Sequence, residues 1–481
     1  MTQSPLRLVC ALLLSPCLFA QITPGNLLIS RIGDGAAALT SAATARFLDE
    51  YTPTGTFVQT IALPTAVSGA NRRLTDSGTA TSNGFITQSA DGNFLVAGGY
   101  DAALGTAAVT GTASASTNRV IARLALTGTV DSSTALTDAY SANNFRGVAS
   151  VDGSAFWISG TGTNPGARYV ASLGATTSTQ LSTTVTNLRC VNIHNSQVYC
   201  SSSSGAFLGV SAVGSGLPTT AGQTITSLTG GTGASAYDFF FTDANTVYVA
   251  DDRTNGNGGI QKWTFNGSIW SLGYTMAPNA TTGCRGLSGY VDNGIVTLFA
   301  TTAVTSTTTT TVVTVTDTGV ASAFTTLVTN ATNTAIRDVQ YVRTPSSLTY
   351  SGTSCATSVG IPTVGIGGGN PVLGNANFAF TAGNALANFF VMFLLKGGTV
   401  SPFGITLPGA PACALIYVLP DVLLLSASDA LGAASTPVPI PASNSLAGVT
   451  LAAQVAAFDP TLVGFDIQIG TSVALQVVVG N

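Results

Sequence analysis

The sequence predicts an all-β protein: a six-bladed β-propeller closed by its own N-terminal strands, followed by a β-sandwich. Two observations carry that expectation. A short phrase recurs roughly every 40 to 50 residues, the signature of one supersecondary unit per copy. Asn-Phe-Arg146-Gly-Val, Asn-Leu-Arg189-Cys-Val, Gly-Cys-Arg285-Gly-Leu and Ala-Ile-Arg337-Asp-Val each open an alternating apolar run. A turn and further short runs follow each copy, which reads as a four-stranded blade. Helix formers are also scarce. Glu50 is the only glutamate and Lys262 and Lys396 the only lysines, while the abundant Thr and Val suit pleated strands.

Taken in order, the innermost strands are expected to begin near Gly84, Arg146, Arg189, Asp238, Arg285 and Arg337. The last of these has no further blade strands after it. Residues 26–32, 44–51 and 56–63 match the second, third and fourth strands of a blade, and joining the two ends of the chain buries both open edges. A seventh blade would have to come from residues 100–140, where only 118–126 and 130–136 read as strands. The propeller therefore spans residues 21–343. Residues 344–361, rich in Ser, Thr and Gly, read as a linker. In residues 362–481, long apolar runs alternate with Gly/Pro turns at 378–381, 389–395, 412–418, 422–427, 449–457 and 473–479, the pattern of a two-sheet sandwich. The Thr-rich run at 305–311 reads as a strand with an exposed Thr face or as a loop.

Composition narrows the compartment and the partners. Of the 481 residues only 7% are charged and 45% are hydrophobic, against about a quarter charged in ordinary soluble proteins. No run reaches the roughly 18 unbroken apolar residues of a spanning helix: 386–395 is too short and 412–426 is broken by Pro420 and Asp421. The net charge of -4 leaves no basic stripe for nucleic acid. Residues 1–20 read as a secretory signal, with Arg7 at its start, an apolar stretch at 8–14 and cleavage after Ala20. Pro16 argues against a lipoprotein box at Cys17. The expected location is secreted, extracellular or cell-surface.

Removal of the signal leaves Cys190, Cys200, Cys284, Cys355 and Cys413, so at least one sulfur is unpaired within the chain. Cys190 and Cys200 flank the turn at His194-Asn195-Ser196. A three-residue loop places them opposite each other for a cross-strand disulfide; a two-residue loop shifts the register and points the sulfurs apart.

The stretch from Asn26 through Arg31 to Gly33-Asp34-Gly35, with Phe47-Leu-Asp49-Glu50-Tyr51 and Pro53-Thr-Gly55, resembles the opening of an uncharacterised family of secreted bacterial β-propeller proteins. Tyr248-Val-Ala-Asp251-Asp252 and Gly258-Gly-Ile-Gln261-Lys262-Trp263 are similar to its later blades. This resemblance covers roughly residues 25–343 and implies a fold but no reaction. The tail resembles a C-terminal β-sandwich module of secreted bacterial proteins, through Gly352-Thr-Ser-Cys355, Gly360-Ile-Pro362, Pro408-Gly409-Ala-Pro411-Ala-Cys413, Pro439-Ile440-Pro441 and Leu446-Ala-Gly448. That resemblance implies a Cys355–Cys413 disulfide and leaves Cys284 as the odd sulfur.

The candidate site is the mouth of the central channel. Arg146, Arg189, Arg285 and Arg337 should converge there, with Asp238 and Gly84 at the equivalent place in the other two blades. Guanidinium groups so gathered hold a carboxylate or sulfate through bidentate hydrogen bonds; alternatively each caps carbonyls of the neighbouring blade or pairs with Asp238 and Asp338. Asp251, Asp252, Asn255 and Asn257 lie in a Gly-rich turn that matches no defined calcium loop, and Asp34 reads as a turn residue. His194, the only histidine, falls at a hairpin tip. A single histidine and a single glutamate give no catalytic motif, so no enzyme activity, metal or cofactor is expected. The expected function is that of a structural subunit of an extracellular filament or surface assembly. It would self-assemble through poorly charged strand edges, among them the strand at 473–479. The alternative is an extracellular binding module for an anionic glycan or small acid.

Overall fold

A computed structural model of the chain describes residues 21–231, 233–303 and 309–481. The expected signal at 1–20 and most of the Thr-rich run lie outside the described residues. The protein is all-β, with 47% of residues in strands and 1% in helix.

Residues 21–343 form six antiparallel four-stranded sheets. The first strands of five of them are β1 (Ile86–Gln88), β2 (Phe145–Ser150), β3 (Leu188–His194), β4 (Ala236–Asp243) and β5 (Gly283–Asp292). In the sixth sheet β6 (Ala335–Tyr341) pairs with Leu27–Ile32, which is followed by Arg46–Tyr51 and Phe57–Ala62. The chain's two ends therefore meet in one sheet, with Ile29 opposite Val339. Strands Arg119–Ala125 and Val130–Leu136 complete the sheet that starts at β1, so residues 100–140 add no further sheet.

Each first strand touches the next, and β6 touches β1. Between neighbouring sheets lies a separate apolar core. Leu28, Leu48 and Ile61 pack on Ile86, Leu95 and Val120 in one of them, and Leu27, Ile29 and Val339 pack on Phe299 and Val312 in another. Since both faces of a strand are buried, its residues run apolar almost without alternation, as in Leu27-Leu28-Ile29.

Beyond residue 343 the chain builds a second core. The stretch expected as a linker holds strand β7 (Ser347–Ser351), an edge of a five-stranded sheet. Its Ser, Thr and Tyr side chains are as compatible with a pleat as with a loop. The sheet continues with β8 (Phe390–Gly397), β9 (Val422–Ala427), β10 (Thr450–Phe458) and β11 (Ile469–Val478), in the spatial order β7-β11-β10-β8-β9. A three-stranded sheet, Thr363–Gly367, Ala379–Gly383 and Ala434–Pro437, shares its core through Phe378, Phe380, Val391, Phe393 and Val455. Residues 412–418 contribute only a two-residue strand, Leu415–Ile416. The last strand, expected as a free edge for self-assembly, lies inside the sheet between β7 and β10, because the Ser/Thr-rich stretch covers it. The open edges are β7 and β9.

Cys355 and Cys413 form a disulfide. The Cys190–Cys200 pair does not: both are free and buried, as is Cys284. His194 pairs with Gln197, so the hairpin loop holds only Asn195 and Ser196, both at positive φ. With that two-residue loop Cys200 faces Val191 rather than Cys190, and the two thiols enter different cores.

Candidate functional site

The recurring Arg phrase encodes a β-bulge. The register of the first strand pair slips between Phe145 and Gly147, Leu188 and Val191, Ala236 and Phe239, and Cys284 and Leu287. It slips again where β6 steps past Arg337. A bulge frees a residue from the ladder and re-aims its side chain, here towards the place where the first strands meet. Aligned on the bulge, Arg146, Arg189, Arg285 and Arg337 share a position with Tyr237, not with Asp238. Asp238 lies one residue later and matches Asp338. The expected equivalence of Asp238 with the arginines is corrected accordingly: the apolar residue after the bulge, Phe239, sets the register.

The four arginines converge on Tyr237, which is buried. The Arg189 guanidinium lies 3.6 Å from its ring centroid and that of Arg285 lies 5.5 Å from it, while Arg146 and Arg337 are within electrostatic range of its hydroxyl. Phe85, beside β1, packs on it at 6.0 Å, so side chains from non-consecutive sheets meet here.

The arginines clamp the neighbouring sheets. Arg146 Nη1 donates to Asn187 Oδ1 at 2.6 Å and to the Leu188 carbonyl at 2.9 Å. Arg189 Nη1 donates to Ser235 Oγ at 3.1 Å and the Ala236 carbonyl at 3.2 Å, and Arg337 Nη2 to the Gly78 carbonyl at 2.6 Å. Arg285 Nε reaches Asp252 Oδ2 at 3.2 Å, and the other oxygen of that carboxylate lies 3.8 Å from Arg189. Burial lowers the pKa of Arg146, and it brings Arg337 down to about 10.

Asp238 and Asp338 staple the strands instead. Asp238 Oδ2 accepts the Leu287 amide of β5 at 3.2 Å, and Asp338 Oδ2 accepts the Ile86 amide of β1 at 2.8 Å. Burial raises the pKa of both, and for Asp338 the nearby Asp238 charge adds to the rise. Arg46, absent from the sequence reading, is fully buried and donates to Ser30 Oγ and to the carbonyls of Gly84, Phe85 and Gly98. Nothing in its strand marks it out; Tyr237, by contrast, is recoverable from the sequence by aligning Ala236-Tyr237-Asp238-Phe239 on the phrase.

The other candidates are occupied locally. Asp251 is ion-paired with Arg253 and also accepts from Ser235 and Gln261, so the Gly-rich turn offers no free carboxylate cluster. Asp34 caps its own turn through the Ala36 amide. His194, at the hairpin tip, is half-buried: it stacks on Phe241 at 4.8 Å, and burial brings its pKa down to about 4. Among the described residues no group of three or more His, Cys, Asp or Glu is placed to hold a metal ion, and no helix is long and apolar enough to cross a membrane. No family model matches the chain, and no curated protein matches it.

Proposed function

We propose that this protein is a secreted, non-enzymatic structural subunit that self-assembles through the open edge of β9. Its six N-terminal sheets are read as a six-bladed β-propeller closed by the N-terminal strands, and its C-terminal sheets as a β-sandwich, in keeping with secreted bacterial proteins of that architecture. The ring reading is supported by the succession of contacts from β1 to β6 and back to β1, and by the separate core between the first and last sheets. Secretion is supported by the signal-like residues 1–20 and by the Cys355–Cys413 disulfide, a bond that persists in oxidising compartments.

The observation that carries the assembly is the character of β9. Its sequence is Val-Leu-Leu-Leu-Ser-Ala, with neither charge nor proline, and it pairs on one side only, with β8. Natural edge strands are guarded by lysine, proline or bulges because their free N–H and C=O groups template further pairing. β9 carries none of these guards. Leu424 packs into the core, while Leu423 and Leu425 are 55% and 61% exposed. Antiparallel pairing with the same strand of a second copy places these leucines together on one face and satisfies both rows of backbone groups.

Mature protein examined by negative-stain microscopy and sedimentation velocity should form multimers. The variant Leu423→Lys with Leu425→Lys should sediment as a monomer with an unchanged melting temperature, because exposed substitutions of this kind alter stability by no more than about 0.5 kcal/mol. A monomeric wild-type chain at micromolar concentration overturns the reading.

A further inference from the structure

We propose that the four arginines around Tyr237 form a binding site for a carboxylate-bearing ligand. β2, β3, β5 and β6 each deliver one guanidinium to this place through a bulge. A chain with only 16 cationic side chains thus gathers four of them at a single point. Like charges so gathered are costly unless anions compensate them. Among the described residues Asp252 is the one carboxylate bonded to any of the four, and it is shared between Arg189 and Arg285. Asp238 and Asp338 spend an oxygen each on backbone amides of neighbouring strands. Asp76 acts on Arg337 only at a distance, without bonding it, so the four guanidiniums outnumber the carboxylates that bond them.

It also has free donors. Arg146 and Arg337 are 8% and 6% exposed, yet the Nε of each is buried with no hydrogen-bond partner, and a buried donor left unpaired marks a missing acceptor. Arg189 and Arg285 keep 16% and 21% of their side chains accessible. Among the described residues Arg189 bonds only through Nη1 and Arg285 only through Nε, so the terminal nitrogens of Arg285 remain open as a fork. Such a fork matches a planar carboxylate. Asp252 already presents that chemistry to the same two guanidiniums, and the Tyr237 ring beneath them fixes their planes. The ligand's carboxylate comes either from a small free acid or from a uronate residue of an acidic oligosaccharide.

The test is isothermal titration calorimetry of the mature protein at low ionic strength with two probes, succinate and a galacturonate trimer. At least one should bind, with affinity that falls as salt is added. Binding of succinate points to the free acid; binding of the trimer alone points to the oligosaccharide. The Arg189→Gln, Arg285→Gln double variant should weaken binding by about tenfold or more, without loss of folded structure. Asp252→Asn removes the internal competitor and should tighten it, an effect that a purely structural role for these arginines does not produce. If the double variant fails to fold, the Asp252→Asn comparison decides alone. No binding heat with either probe on folded wild-type protein, affinity unchanged in the folded double variant, or no tightening in Asp252→Asn overturns the proposal.

Discussion

Replacing Gly286 by alanine should destabilise the N-terminal sheets by about 3–5 kcal/mol, read as a lowered denaturation midpoint at unchanged slope. A Cβ at Gly286 would lie 2.1 Å from Asp338 Oδ1, 2.9 Å from the Asp338 Cα and 3.0 Å from Thr301 Oγ1. The first of these is a side chain, but it cannot swing aside freely: its other oxygen holds the Ile86 amide across the junction of β6 and β1. Displacing it leaves a buried N–H unpaired, and that loss adds to the overpacking. The repeated phrase thus carries a second instruction beyond the arginine. The residue after it is glycine at 147 and 286, where the neighbouring strand's side chain or backbone comes close, aspartate at 338, where it reaches the next strand, and the core residue Cys190 after Arg189. Asp338→Ala in the Gly286→Ala background should recover the part of the steric loss that comes from the carboxylate, while the contact with the Asp338 Cα and the unpaired amide remain.

Arg46→Met should cost a similar amount, about 3–5 kcal/mol, although methionine fills much of the same volume. Arg46 is fully buried. Its guanidinium ties Ser30, in the N-terminal part of the chain, to the carbonyls of Gly84 and Phe85 just before β1 and to that of Gly98 in the following strand. Burial lowers the pKa of Arg46, with Asp76 and Asp338 opposing the fall. Methionine supplies no donor, so three buried carbonyls lose a charge-assisted partner. Equilibrium denaturation followed by tryptophan fluorescence measures the effect; a loss below about 1 kcal/mol would mean that water replaces the guanidinium there.

Much of this architecture is legible in the sequence because five of the six N-terminal sheets begin with the same physical device. An apolar residue, a polar bulge and a second apolar residue announce a strand that must bury both faces yet turn one side chain inward. Local ambiguity hides the rest. Asp238 looked equivalent to the arginines because Tyr237 breaks the phrase, and only the pairing register separates the two positions. The cysteines at 190 and 200 depended on a single residue of loop length. Ser347–Ser351 read as linker because Ser and Thr serve both strands and loops, and its pairing partner lies more than a hundred residues away. That long-range pairing also covers β11 and passes the open edge on its side to β7, leaving β9 as the apolar edge. The convergence of the arginines follows from the repeat; what each one bonds to does not, since those carbonyls belong to other repeats.

Hydrogen exchange of the intact chain, read by mass spectrometry, bears most directly on the central claim that the two ends of the N-terminal region share one sheet. Amides of Leu27–Ile32 and of β6 should exchange together and as slowly as those of β3 and β5, since all four open only with the whole unit. Rapid exchange of residues 27–62 beside a protected β6 would contradict it.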